Sequence, residues 1–165
     1  MTEVLPVSAK ASHTRWGWLY RSVGLTSPYA THNLLFGDAP RAWNSGRFAP
    51  VTLSLDFGRK RTMTGLMLTP EMEPLEGHVE VRVLINTWQI PHASIWQDAV
   101  PVVIEWEQPI EARSVTIEFL RSPSWIALRR ASILEAKRQP TSYMAVAAVK
   151  AADALPPTIK QRHGR

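Results

Sequence analysis

The chain has 165 residues, of which 45% are apolar and 20% are charged, so it can form one packed domain but not two full ones. It contains no cysteine, which excludes a disulfide scaffold, a thiolate metal site and a cysteine nucleophile. The net charge of +5 is unevenly placed, because residues 1–120 hold 10 basic and 12 acidic side chains whereas residues 121–165 hold 9 and 2. This distribution favours an acidic partner surface over a nucleic acid.

No apolar run approaches the roughly 20 residues that span a bilayer, so we expect no membrane insertion. The first eight residues lack the basic and apolar regions of a signal peptide. We therefore expect synthesis in the cytoplasm without a signal peptide.

Alternation of apolar and polar residues indicates that most of the chain forms short strands. Residues 1–49 are aromatic and irregular, and we expect loops there with one or two short strands. Residues 88–96 are expected to form a loop region, with one of its flanking tryptophans packed beneath it. With 13 prolines and no long amphipathic helix, the pattern predicts an all-β antiparallel sandwich or barrel. The predicted strands are residues 51–57, 63–69, 79–85, 102–106, 115–120 and 126–134.

The composition changes after Lys137, and we divide the chain into a sandwich of residues 1–137 and a basic C-terminal arm of residues 138–165. The arm contains an alanine-rich segment that predicts a short helix, which is too short to be stable alone in water. We expect the extended, partly helical arm to dock on a neighbouring protein. Its expected docking residues are Tyr143, Met144, Val146, Val149, Leu155, Lys160 and Arg162.

The order of several short motifs resembles the discoidin family, which includes the coagulation-factor C-type domains and the galactose-binding-like carbohydrate-binding modules. The resemblance implies an eight-stranded jelly-roll sandwich with its terminal strands close together and its ligand-contacting loops at one end. The matching segments are residues 30–38 with 42–45, 51–58, 64–67, 112–117 and 125–129.

Many carbohydrate-binding members of that family hold calcium in an early turn. The resemblance places Phe36, Arg41 and Arg130 where oxygen ligands would stand, and only Asp38 retains a carboxylate. Calcium needs roughly six to eight oxygen ligands, so we expect neither calcium nor another cofactor. Our hypothesis is that Arg41 or Arg130 pairs with Asp38 and closes the turn in place of the metal. The alternative is that both arginines are simply solvated.

Residues 15–21 combine tryptophan, tyrosine and arginine in a pattern typical of neither a strand nor an amphipathic helix. The resemblance places this segment on the first projecting loop. Aromatic faces stack on sugars, and these residue types also dominate protein interfaces. The alternative is that Trp16 and Trp18 pack back onto the sandwich. For the other tryptophans, we expect Trp43 and Trp125 to lie in the core and Trp106 to lie in the core or an interface. The expected ligand contacts are Trp16, Trp18, Tyr20, Arg21, Asn44, Arg47, Phe48 and Met72.

Catalysis finds little support in the sequence. The five histidines lack metal-ligand spacing, and the acidic residues Glu71, Glu73 and Glu76 lie in a proline-bounded turn typical of a solvated loop. We therefore expect a non-catalytic interaction domain, acting as a structural or adaptor subunit of a larger assembly such as a bacteriophage tail or baseplate, and hence located in the virion. The alternative is a module that binds a glycan or cell surface through its aromatic loops.

Overall fold

The computed structural model describes residues 1–72 and 75–137. The predicted arm, with its helix and docking residues, lies outside the described residues. Nearly all regular structure is β, which confirms the predicted all-β antiparallel jelly-roll sandwich. The elements are β1 (Thr2–Val4), β2 (Ser8–Ala11), α1 (Gly17–Ser22), a short 3₁₀ helix (Thr31–Leu35), β3 (Trp43–Asn44), β4 (Val51–Pro70), β5 (Gly77–Ile85), β6 (Trp88–Trp96), β7 (Val102–Arg121) and β8 (Ala127–Glu135).

Two long strands, β4 and β7, run through both layers of the sandwich. They pair with each other along almost their whole length, with a register shift between Asp56 and Arg61 of β4. The first half of β4 also pairs with β2, whereas its second half pairs with β8. The sequence predicted two separate strands in each of these regions; the structure instead shows continuous strands that bend at a bulge, where Gly58 has a φ of +77°.

The alternating apolar residues of β4, β5 and β7 point between the layers and form the core. Phe119 lies at its centre, with the ring of Trp43 at 6.3 Å and the ring of Trp96 edge-on at 6.1 Å. Trp43 is therefore a core residue, as predicted. The terminal strands pair with each other, since Thr2 lies opposite Glu135. This pairing confirms that the two ends of the sandwich domain are close together.

Residues 88–96 form a strand, β6, and not the loop that we expected. Alternation is hidden in this segment because its inward-facing positions include the polar residues His92 and Ser94 beside Ile90. Trp96 is buried and Trp88 is exposed, so one of the two flanking tryptophans does pack into the domain, as predicted.

One side of the sandwich ends in two strand edges. Among the described residues, β6 pairs only with β5, and residues 102–112 of β7 pair only with β4. We call this the open side. No helix in the part of the chain that the structure describes is long and apolar enough to cross a membrane.

Candidate ligand site at the loop end

Three loop segments enclose a cavity of about 320 Å³ at the end of the sandwich where β4 begins. We call it the loop-end cavity. The first segment precedes and enters α1, the second follows β3, and the third precedes β8. The lining residues are His13, Thr14, Arg15, Trp16, Trp18, Ser45, Gly46, Arg47 and Trp125.

The first and second segments are fastened together at Arg15. Its backbone N–H donates to the Asn44 carbonyl at 2.7 Å, and its carbonyl accepts from the Ser27 hydroxyl at 2.6 Å. Gly46 packs against the same point with a φ of +72°, and a Cβ there would lie 2.9 Å from the Arg15 Cα. Only glycine fits this close approach and this backbone conformation without strain.

The third segment is held against the second by backbone hydrogen bonds. The Ser45 N–H donates to the Ile126 carbonyl at 2.8 Å, and the Ile126 N–H donates to the Arg47 carbonyl at 3.2 Å. These bonds place Trp125 on the cavity wall. Trp125 is 36% exposed, so the expectation of a core residue is wrong. Its neighbours Ser124 and Ile126 are buried, and in an extended segment the residue between two buried ones faces outward.

The Arg15 guanidinium joins the aromatic residues of the site. It lies 4.7 Å from the ring centroid of Trp16, 4.9 Å from that of Tyr29 and 5.1 Å from that of Trp125. Trp16 also meets Tyr29 edge-on at 5.4 Å. Cation–π contacts of this kind hold planar groups in fixed orientations. Arg15 therefore orients two of the three tryptophans in the cavity, whereas the third, Trp18, is 75% exposed.

Arg47 and His13 form the polar part of the cavity. The Arg47 Nη1 lies 2.7 Å from His13 Nε2, and since a guanidinium can only donate, this imidazole nitrogen accepts. The His13 Nδ1–H then donates to the Ser12 hydroxyl oxygen at 2.9 Å. That oxygen also accepts from the Thr52 N–H at 3.0 Å. This arrangement corresponds to an imidazole with its proton on Nδ1, and it orients Arg47 towards the cavity.

The lining is basic as well as aromatic. It contains Arg15, Arg47 and His13 and no acidic side chain. A ligand here would meet indole faces together with guanidinium donors. Such a surface suits a flat or ring-shaped molecule with C–H faces and negatively charged substituents.

The predicted contacts are only partly brought together. Trp16, Trp18 and Arg47 line the cavity, whereas Tyr20 and Arg21 on α1 do not, and neither does the exposed Phe48. Residues 15–21, which we expected to be irregular, include most of the short helix α1. Its N-cap residue, Trp16, has a left-handed backbone conformation with a φ of +57°.

Two further residues predicted as ligand contacts lie outside the cavity lining. Asn44 is buried and structural, because its side-chain oxygen accepts from the Gly46 N–H at 2.8 Å. Met72 is 7% exposed and belongs to the core; its N–H donates to the Asp98 carboxylate at 3.0 Å, which holds this segment against the domain.

The expected ligand contacts left out six lining residues: His13, Thr14, Arg15, Ser45, Gly46 and Trp125. Arg15 belongs to the predicted aromatic segment and His13 lies two residues before it, so their position in the chain was a usable signal. Nothing local in the sequence marks Ser45, because its place in the site depends on pairing with Ile126, which is distant in the chain.

The predicted ion pair in the early turn is wrong. Arg130 pairs with Glu3 on β1, whose carboxylate also accepts from the Ser132 hydroxyl at 2.7 Å. The pairing of β1 with β8 brings Glu3 to the face that carries Arg130 and Ser132. The Arg130 guanidinium does lie against the turn, since a Cβ on Gly37 would be 3.2 Å from its Nη1.

Asp38 in that turn is exposed and has no ion pair within residues 1–72 and 75–137. The Arg41 guanidinium lies 5.9 Å from the Tyr29 ring centroid. The same described ranges contain no cluster of three or more histidine, aspartate or glutamate side chains that could hold a metal ion.

Several of the solved structures that match this chain are carbohydrate-binding modules. The family 32 module of C. perfringens NanJ, in complex with galactose, superposes with a TM-score of 0.57 at 14% identity, over 80% of this chain and 98% of that one. A pectin-binding module superposes with a TM-score of 0.59 at 13% sequence identity, over 83% of this chain and 96% of that one. The family 32 module of AlyQ, in complex with 4,5-unsaturated mannuronic acid, superposes with a TM-score of 0.59 at 11% sequence identity. The match covers 82% of this chain and 100% of that one.

No protein-family model matches the chain, and neither does any curated protein. At these identities the likeness establishes the fold, a discoidin-like, galactose-binding-like sandwich. Some of the matching modules are joined to catalytic domains. One example is truncated AlyQ, which has family 32 and alginate lyase domains and of which the match covers 32%.

Proposed function

We propose that this protein is a non-catalytic carbohydrate-binding module and that its ligand binds in the loop-end cavity. The observation that carries the proposal is the combination of three tryptophans and two arginines around one recess at the end of the sandwich. The fold supports it, because several solved structures with this architecture are carbohydrate-binding modules.

Each part of the cavity has a role in sugar binding. Trp18, which is largely free of other contacts, stacks on the C–H face of a pyranose ring. Trp125 and Trp16 also line the cavity and are already oriented by Arg15, so little side-chain entropy is lost on binding. Arg47, oriented by His13, donates to ligand oxygens.

The charge of the lining favours acidic sugars over neutral ones. A uronic acid combines an apolar ring face with a carboxylate, and an arginine guanidinium can bind a carboxylate through two parallel hydrogen bonds. Two of the structural neighbours are described as pectin-binding and as bound to an unsaturated mannuronic acid, respectively. We therefore propose uronate-containing glycans as the ligand class.

The expectation of a structural subunit in a phage tail or baseplate is not our conclusion. The solved structures that match the chain are carbohydrate-binding modules, and they favour the glycan-binding alternative. They give no support to a virion location or to a protein assembly as partner.

Titration calorimetry of the full chain with oligogalacturonate, oligomannuronate and neutral galacto-oligosaccharides tests the proposal. We expect an acidic oligosaccharide to bind. We expect Trp18→Ala to weaken binding by about tenfold or more, since truncating an aromatic anchor at a binding site costs on the order of 2 kcal/mol. The matched control is Phe48→Ala, which removes an aromatic ring of 53% exposure that lies outside the cavity. Equal affinity of both variants and the parent, or no binding of any sugar, would contradict the proposal.

A further inference from the structure

The open side of the sandwich carries a second recess, with a volume of about 590 Å³. It lies between the start of β6 and residues 105–111 of β7. β5 begins near the loop end, where Gly77 packs on Pro123, and runs nine residues to the turn at Asn86, which borders this recess. The recess therefore lies about 30 Å along the strand from the loop end. We call it the acidic groove.

Two indole rings form the apolar part of the acidic groove. Trp88 is 58% exposed. Trp106 packs against the core, and its Nε1–H donates to the Met63 carbonyl at 2.8 Å, so its ring has a fixed position. Ile90 and Pro109 complete the apolar lining. The turn is held in place as well, since the Asn86 side-chain amide donates to the Glu111 carbonyl at 3.0 Å.

The charge of the acidic groove is opposite to that of the loop-end cavity. Its lining includes Glu105, Glu107 and Glu111 and no basic side chain. All three glutamates are exposed, and none forms an ion pair with another described residue. Charges on an edge strand discourage edge-to-edge aggregation, which would account for Glu105 and Glu107 alone. Protection against aggregation does not explain why a recess lined by two indole rings also holds three carboxylates that lack an ion-pair partner among the described residues.

The chain itself supplies a segment of complementary composition. Residues 138–165 hold five basic and one acidic side chain, interspersed with apolar residues such as Val149 and Ile159. The described chain ends two strands away from the groove. The Ala136 N–H donates to the Thr62 carbonyl at 3.0 Å, and Thr62 lies opposite Glu111 on β7. Two strand spacings, about 10 Å, thus separate the backbone of Ala136 from the backbone of Glu111, whose side chain lines the groove.

We propose that the acidic groove is the docking site for residues 138–165 of the same molecule. Lysine and arginine side chains of that segment neutralise the three glutamates, and their methylene groups, with neighbouring apolar side chains, cover Trp88 and Trp106.

Paramagnetic relaxation enhancement in the full chain tests this proposal. Because the protein has no cysteine, Ala148→Cys and Thr158→Cys each give a unique position for a spin label. With either or both labels, we expect the amide and indole signals of Trp88 and of residues 105–111 to lose most of their intensity. High salt should restore them, since the attraction is electrostatic.

The variant with Glu105, Glu107 and Glu111 all changed to Gln should recover these signals despite the label. Because the three side chains are exposed, we expect its thermal unfolding to match that of the parent. Asp38→Asn, which removes an exposed, unpaired carboxylate elsewhere, is the control and should leave the broadening intact.

Two results would overturn the proposal. One is broadening that avoids the groove with both labels. The other is equally strong broadening when spin-labelled chains without ¹⁵N are mixed with ¹⁵N-labelled chains that carry no spin label, which would mean docking between two molecules.

Discussion

The binding properties of the loop end depend on a few residues that hold others in place. Arg15 contacts three aromatic rings from three parts of the chain, and Gly46 allows the second segment to approach it closely. Neither residue was among the expected ligand contacts, which were chosen for their own capacity to touch a sugar. Positioning residues are hard to identify from sequence, because their partners are distant in the chain.

Replacing Gly46 by alanine should lower the free energy of unfolding by more than the cost of a left-handed backbone conformation. Gly24 is the matched control, because its φ is +73°, close to the +72° of Gly46, yet a Cβ there would meet nothing within 4 Å. We expect Gly24→Ala to lower the free energy of unfolding by about 1–2 kcal/mol, the cost of the left-handed conformation. Gly46→Ala should cost clearly more, because its Cβ would lie 2.9 Å from the Arg15 Cα, and should also weaken sugar binding. Urea unfolding and calorimetry measure both effects, and equal losses would argue against the close approach.

Arg15→Lys should weaken sugar binding although it keeps the charge. A lysine lacks the planar guanidinium that lies against Trp16, Tyr29 and Trp125. We expect the near-ultraviolet circular dichroism of the indoles to change together with affinity. Arg21→Lys is the control, because Arg21 is exposed on α1 outside the cavity. If Arg15→Lys behaves like its control, the rings are not oriented by this residue.

Among the elements, the strands with clean alternation were predictable and the others were not. β5 alternates apolar and polar residues without a break, and its predicted range is close to the observed Gly77–Ile85. β6 was missed because its inward face includes His92, whose pKa is lowered by burial. β4 and β7 were each divided in two because a bulge interrupts the period in their middle, whereas hydrogen bonding to the partner strand continues.

The assignment of β6 as a strand with one buried and one exposed tryptophan leads to a stability prediction. Trp96→Ala should lower the free energy of unfolding by about 3–5 kcal/mol, since its buried ring packs on Phe119. Trp88→Ala, at the other end of the same strand, should cost much less because that ring is largely exposed. Guanidinium unfolding of both variants checks this difference. A small loss for Trp96→Ala would mean that β6 does not close the core as described.

At the scale of the whole molecule, one sandwich presents two aromatic recesses of opposite charge. The fold class, the paired terminal strands and the aromatic character of the loop end were predictable, because alternation and the ordered motifs are properties of the sequence itself. The shape of the loop-end cavity was not, because it arises where segments around residues 15, 46 and 125 meet. The acidic groove was missed for the same reason, since it lies between β6 and β7.

The central claim is that a sugar binds at the loop-end cavity and not elsewhere on the sandwich. The indole N–H signals of the seven tryptophans in a ¹H–¹⁵N spectrum report on this directly, because they are spread over both recesses and the core. During titration with oligogalacturonate or oligomannuronate, we predict that the signals of Trp16, Trp18 and Trp125 shift while those of Trp43, Trp88, Trp96 and Trp106 stay in place. Shifts confined to Trp88 and Trp106, or no shift at saturating sugar, would contradict the account.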